Sequence, residues 1–205
     1  MEISEVSIGN MALANLGLPP VQNFNQPDVA SRSLKLRYHE ARLQCLNAQL
    51  WNFAKLWQAG VPVGNLDTSS NIDLVAPGWR YSWVYPADAL RVFEIWRQTV
   101  DEKEIPFEVT DRPGLAGGKL IHTNVPSPVF IYTRDKVDPT TFDWDFITAF
   151  AWLLASLIAM PTTKSMKMQQ NAEKQFAGLI GVAAARTKNE GTPDTDVTAS
   201  YQAVR

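Results

Sequence analysis

Apolar positions recur at helical spacing in the first part of the chain, alternate in the middle, and return to helical spacing near the end. The first stretch predicts a helix from Ile3 to Leu16. Its end is marked by Gly17, which supplies a left-handed position, by Leu18, which can fold back, and by Pro19-Pro20, which forbid continuation. Gly9 weakens the middle of this helix by about 1 kcal/mol relative to alanine. A second helix is predicted from Pro27, at the first helical position after Asn25 or Gln26, to about Trp57. Ala30, Leu34, Tyr38, Ala41, Cys45, Ala48 and Phe53 fall near one face of it, and Leu46, Leu50 and Trp51 widen the stripe. A helix of about 30 residues would be roughly 45 Å long. That length predicts an elongated bundle or a helix that reaches a neighbour.

Gly60 to Gly78 reads as a polar loop without a clear period, the kind of long connection that often serves as a contact segment. Strand periodicity follows. Trp79, Tyr81, Trp83 and Tyr85 lie on one face of an extended segment, with Arg80, Ser82 and Val84 on the other. Leu90–Arg97, Ile105–Thr110, Lys119–Thr123 and Val129–Thr133 are further short strands, separated by turn signals at Pro113-Gly114 and Gly117-Gly118. They predict an antiparallel sheet or small barrel. A third helix, Phe142 to Met160, is apolar nearly all round, with Thr140 and Asp143 as a capping box and Asp143 and Asp145 near its positive end. A fourth, Lys164 to about Lys188, places Met168, Ala172, Phe176, Leu179, Ile180 and Ala183 on one face.

The fold class expected from this pattern is α+β: an antiparallel four-helix bundle with a small antiparallel β domain inserted between helices 2 and 3, and an extended C-terminal tail. Residues 1–58 and 140–188 form the bundle in this reading, 79–134 the inserted β domain, and 189–205 a flexible tail whose polar composition cannot support ordering in isolation.

Charge and composition narrow the function classes. The chain has 205 residues with 19 Lys+Arg against 21 Asp+Glu, a balance too close to neutral for a protein that holds phosphates on a basic surface. One cysteine excludes a disulfide scaffold and any site with several cysteine ligands. Seven Trp, five Tyr and nine Phe against two His favour packing and protein contacts over acid–base chemistry. No basic stretch followed by an apolar block opens the chain, so no secretory signal is expected. The apolar run Phe146–Met160 is shorter than the roughly 20 residues that span a bilayer, and no membrane partner is expected.

Each candidate for chemistry has a structural alternative. Cys45 sits mid-helix on an apolar stripe, far from a helix N-terminus that would activate it, and His39 points away from it. Asp143 and Asp145, two apart on a helix, do not face each other, so capping explains them better than a carboxylate pair. The segment Gly114–Leu120 is close to a phosphate loop, but it is one residue short and has Leu120 where a hydroxyl should bind magnesium; a hairpin turn is the better account. His122 stands in a short strand with no partner at ligand spacing. The aromatics of Trp79–Tyr85 are accompanied by only Arg80, which favours core or interface packing over stacking on bases. No cofactor and no metal site are expected, and no catalytic residue is assigned.

The order of these features resembles the tail tubular protein A, or head-to-tail adaptor, family of short-tailed bacteriophages. The carrying residues are Ala12-Leu-Ala-Asn15-Leu16-Gly17-Leu-Pro19-Pro20; then Tyr38, Arg42 and Leu50-Trp51-Asn-Phe53-Ala54; then Trp79-Arg-Tyr81-Ser-Trp-Val-Tyr85-Pro86-Ala-Asp88-Ala-Leu90-Arg91; and finally Phe142-Asp143, Phe146, Ala149, Ala151, Leu154-Ala155, Ile158 and Pro161. Together they span about residues 10–162. The resemblance implies a non-enzymatic structural protein of the virion. Such a protein forms a ring, usually twelvefold, below the portal, extends the DNA channel and docks the nozzle or tail. Its partners would be further copies of itself, the portal protein, the tail nozzle or tail tube protein, and passing genomic DNA bound without sequence preference. It would reside in the virion at the head–tail interface, and in the host cytoplasm during assembly. Trp57, Asn65, Tyr201, Val204 and Arg205 are the expected partner-binding residues, the last three through a tail that orders on its partner. A head-completion or tail-terminator protein of a long-tailed phage is the alternative within the same plan; a small hydrolase using Asp143 and His122 is the remote one.

Overall fold

The computed structural model describes residues 3–96, 105–112 and 118–191, with side chains to 187. Four helices and seven strands follow in the order α1 (Glu5–Asn15), α2 (Val29–Ala48), β1 (Lys55–Ala59), β2 (Pro62–Asn65), β3 (Tyr81–Val84), β4 (Ala89–Trp96), β5 (Glu108–Asp111), β6 (Lys119–Thr123), β7 (Val129–Arg134), α3 (Trp144–Thr163) and α4 (Met166–Gly191). They divide into two compact units. A helical unit holds residues 6–38 and 143–205, and a β unit holds residues 39–142 with the first five residues.

In the helical unit, α1 ends as its sequence predicts. Gly17 takes φ +69, its N–H donates to Ala14 O at 2.9 Å, and the Leu18 N–H donates to Leu13 O at 2.9 Å. This is the paired 6→1 and 5→2 closure of a Schellman turn. The chain then returns along α1, held by a two-way amide bridge. Asn10 Nδ2 donates to Val21 O at 2.9 Å, and Val21 N donates to Asn10 Oδ1 at 2.8 Å. Gly9 makes the return possible, because a Cβ there would meet the Phe24 ring at 2.8 Å. Asp28, one residue past Pro27, is the N-cap of α2. Its two carboxylate oxygens accept from Ser31 N at 2.7 Å and Ser31 Oγ at 2.9 Å, and these bonds hold its carboxyl below the usual range.

α3 is buried almost all round, with Phe146, Phe150, Leu154 and Ile158 fully enclosed. It is long and apolar enough to cross a membrane by length and composition, yet 61% of that window is buried in the protein, as befits a core helix. It runs a turn beyond Met160, through Pro161. Thr162 and Thr163 donate their hydroxyls to Ile158 O (2.6 Å) and Ala159 O (2.7 Å), and Lys164 closes the helix in left-handed conformation, donating its N–H to Met160 O at 3.1 Å. α4 folds back along α3. Arg186 near its end grips Asp145 at the start of α3 with bonds of 2.8 and 2.9 Å.

The four-helix bundle expected from the sequence does not form. Among the described residues, α3 and α4 are the one helix pair whose backbones run closely together along their length. α2 is divided, its first half in the helical unit and its second half in the β unit. It also stops at Ala48, some nine residues before the predicted end. Trp51 Nε1 donates to the carbonyl of Cys45 at 2.8 Å, and a single 3-10 turn at Asn52–Ala54 redirects the chain into β1.

The β unit, expected as an antiparallel sheet or small barrel over 79–134, extends further along the chain. It has two antiparallel sheets, β1-β7-β4 and β2-β3-β6-β5, and both recruit residues from the stretch read as helix end and polar loop. The chain crosses from one sheet to the other at Gly60, whose N–H donates to Pro128 O at 2.9 Å, and where a Cβ would meet Trp83 at 2.7 Å. The alternation seen in the sequence holds for Tyr81, Trp83 and Tyr85. These join Val92, Ile95, Ile121, Phe130 and Tyr132 in one buried cluster fed by both sheets.

Candidate functional site

Two places in the β unit gather residues with chemical or binding capacity. The first is buried and centres on His122 of β6, which is 2% exposed. Strand pairing sets Ser82 of β3 and Glu108 of β5 directly opposite it. Ser82 Oγ lies 2.6 Å from His122 Nδ1 and 2.8 Å from the carbonyl of Leu74, and Thr110 Oγ1 lies 2.8 Å from Nε2. Ser82 Oγ donates to Leu74 O, the Ala76 N–H points at Nδ1 from 3.4 Å, and which ring nitrogen donates to its hydroxyl neighbour follows the tautomer. Burial holds the imidazole pKa below its usual value, against a smaller opposing pull from the Glu108 carboxylate.

A serine beside a histidine invites comparison with a nucleophile and its base. Here the geometry opposes it. The Ser82 proton is committed to a backbone carbonyl, the ring is oriented by a threonine in place of a carboxylate, and Ser82 itself is fully buried. Asp143, the other residue of the hydrolase alternative, falls in the helical unit. The other titratable groups have structural tasks. Cys45 is enclosed, and burial pushes its thiol well above the usual value. Arg42, 3% exposed, donates to Asp135 Oδ1 and to the carbonyl of Lys136, and its Nη2 stands 3.1 Å from His39 Nδ1. Burial and a 2.9 Å bond to Asp88 push the Tyr132 phenol up to about 12. Among the described residues no three His, Cys, Asp or Glu converge as a metal site.

The second place is open. Directly opposed residues of an antiparallel pair share a face. The register of β1-β7-β4 puts Leu56, Tyr132, Val92, Phe130 and Ile95 on the inner face, against the buried cluster. The outer face carries three rows: Lys55, Thr133 and Arg91; Trp57, Ile131 and Glu94; Ala59, Val129 and Trp96. The first row is covered only at its centre, with Thr133 fully buried, Lys55 half-buried and exposed Arg91 donating from Nη1 to Asn47 O at 3.0 Å. The other two rows are open. Trp57 is 71% exposed and Trp96 51%, standing on opposite edge strands and flanking half-buried Ile131 and Val129.

Of the residues expected to bind partners, Trp57 therefore stands on a strand, pointing outward, where the sequence placed it at the end of a helix. Asn65 ends β2 and closes a tight loop: its N–H donates to Ser70 O (2.8 Å), and its carbonyl accepts from Ser70 N (3.0 Å). Tyr201, Val204 and Arg205 lie outside the described residues. Sequence spacing did not single out Trp96, Ser82 or Thr110. A bulge between Val92 and Glu94 turns Trp96 to the outer face against the period-2 pattern, and facing Trp57 depends on a strand about seventy residues from β1 that joins the two. In comparisons with known proteins, no family model and no curated protein matches this chain.

Proposed function

We propose that this chain is a structural subunit of a short-tailed bacteriophage, a head-to-tail adaptor whose copies form a ring, twelvefold in the usual case, below the portal. In this role it extends the DNA channel and docks the nozzle or tail, and it performs no catalytic step. The observation that carries the reading is the outward face of β1-β7-β4, where two exposed tryptophans flank a half-buried isoleucine and valine. Exposed aromatic clusters of this kind are what contact centres between proteins are made of. A closed ring offers every copy the same cover, through head-to-tail contacts that close by rotation. The near-neutral charge of the chain suits a channel wall, since tight phosphate contacts would slow the passing DNA.

The test is to measure mass by light scattering for the purified protein, for portal rings, and for the two mixed. The expected result is a largely monomeric free chain that adds to the portal as a complete ring visible by electron microscopy. No association with portal rings at micromolar concentration would overturn the reading. A stable ring in the absence of portal would overturn only the triggered form of assembly.

A further inference from the structure

Residues 66–79 lie over the sheet β2-β3-β6-β5 as a strap that carries strain. Ser69 and Asn71 both hold left-handed backbone, at φ 55 and 45. Asparagine tolerates that region, whereas serine occupies it at a cost of about 1 kcal/mol or more. The strap stays down through several ties, among them Leu66 N donating to Arg80 O at 2.9 Å, the Tyr81 hydroxyl donating to Asp67 Oδ2 and Arg112 Nη2 donating to Asp73 O at 3.3 Å. Asn71 Nδ2 donates to Val63 O at 2.9 Å, and the backbones approach so closely that a Cβ on Gly64 would meet Asn71 O at 2.8 Å. At the far end, Trp79 Nε1 donates to Glu108 Oε2 at 2.7 Å. An exposed ion pair, Arg112 with Asp73 at 3.8 Å, adds little. The middle of the strap rests on the imidazole and its partner: Leu74 O accepts from Ser82, and Ala76 N lies 3.4 Å from His122 Nδ1.

We infer that residues 66–79 are a proton-released strap, which protonation of His122 loosens from the sheet. The strap brings to the ring a carbonyl and an amide, β3 brings a hydroxyl, and β5 brings Thr110 and, at longer range, the carboxylate of Glu108. Among these groups only Glu108 favours a positive ring, and its carboxylate is already engaged by Trp79. An added proton makes both ring nitrogens donors, so the Ala76 N–H loses the acceptor it points at. The charge then sits in a nearly waterless place, with the Ala76 N–H dipole pointing at it. Lifting the strap lets water reach the ring. Any state in which the ring is better hydrated binds the proton more tightly, so acid favours that state.

The sign follows from the lowered pKa of the closed form. Above about pH 6.5 the ring is neutral with the strap down or up, and the ties hold it down. As pH falls below that value the lifted form takes the proton first. The closed form loses ground until the pH has passed the closed-state pKa. Half-buried Leu74 and Val75 then emerge beside exposed Ile72 as an apolar tongue.

Hydrogen exchange of the strap amides, corrected for intrinsic rates, tests this on the full chain between roughly pH 7.5 and 3.5, a window that covers the ordinary imidazole range and reaches the carboxylate range. Protection at Ser70, Leu74, Val75 and Trp79 should fall about tenfold for each unit by which the two forms' pKa values differ. Amides of α3 should hold theirs. The midpoint should match that of the His122 ring followed by NMR, and His122→Gln should remove the dependence. Strap protection that ignores pH, or that falls equally in His122→Gln, would overturn the inference. If that variant does not fold, the titration of the parent chain decides. A strap midpoint that follows His122 supports the switch, and one in the carboxylate range, below about pH 4.5, ends it.

Discussion

At the residue scale the largest single electrostatic commitment is Arg42. Its guanidinium is almost wholly buried, and Asp135, only partly covered, is its one carboxylate partner among the described residues. Removing one member of such a pair costs more than the pair contributes, because the survivor is left desolvated and unmatched. Asp135→Ala should therefore lower stability by about 3 kcal/mol. Lys136 O and His39 keep two of the guanidinium's contacts and hold the loss near the lower end of that range. Arg42→Met should cost less, since a thioether of similar reach needs no counter-charge and leaves Asp135 able to turn toward water. Urea midpoints at neutral pH compare the two. An Arg42→Met protein less stable than Asp135→Ala would mean that the arginine's other bonds, to Lys136 O and His39, outweigh the ion pair.

At the element scale two helical glycines should respond with opposite signs. Glycine to alanine within a helix ordinarily adds about 1 kcal/mol. Gly181 of α4 has open space around the missing Cβ, so Gly181→Ala should raise the melting temperature by a few degrees. Gly9 of α1 faces the Phe24 ring at 2.8 Å, with Leu34 at 3.3 Å, so Gly9→Ala should destabilise by about 1–2 kcal/mol despite the same propensity gain. Differential scanning calorimetry separates the outcomes, and a stabilised Gly9→Ala would show that Phe24 yields without cost. The same contrast explains what could be read from the sequence. The end of α1 is written locally in Gly17, Leu18 and two prolines, and the inward face of β3 is written in alternating aromatics. Both appear in the structure where the pattern puts them. The end of α2 is not written locally. Residues 55–57 fall within the predicted helix, yet 55–59 pair with Val129–Thr133 far along the chain, and tertiary pairing overrides propensity there. The His122 setting was equally hidden, because its partners arrive from three separate segments whose register no local pattern reveals.

At the scale of the whole molecule, the question is why one sheet face carries two of the three exposed tryptophans among the described residues, Trp144 at the start of α3 being the third. Folding of the single chain gains little from them, since Trp57 and Trp96 keep 71% and 51% of their surface in water. Their substitution should therefore barely touch the monomer. Trp57→Ser with Trp96→Ser should shift unfolding free energy by no more than about 0.5 kcal/mol per site, as at ordinary surface positions. Assembly should respond differently. A tryptophan at the centre of a contact is commonly worth about 2 kcal/mol or more on truncation, and a ring repeats each loss at every joint. The doubly substituted protein should melt with the parent and fail to add to portal rings at concentrations where the parent saturates them. Trp83→Ser supplies the opposite pattern, because that side chain is 6% exposed within the buried cluster and its loss should lower stability by about 3 kcal/mol or more. Melting curves and light scattering on the same samples decide between these cases. A Trp57→Ser, Trp96→Ser protein that assembles as well as the parent would leave the open sheet face without a role in the ring and return the contact to other parts of the chain.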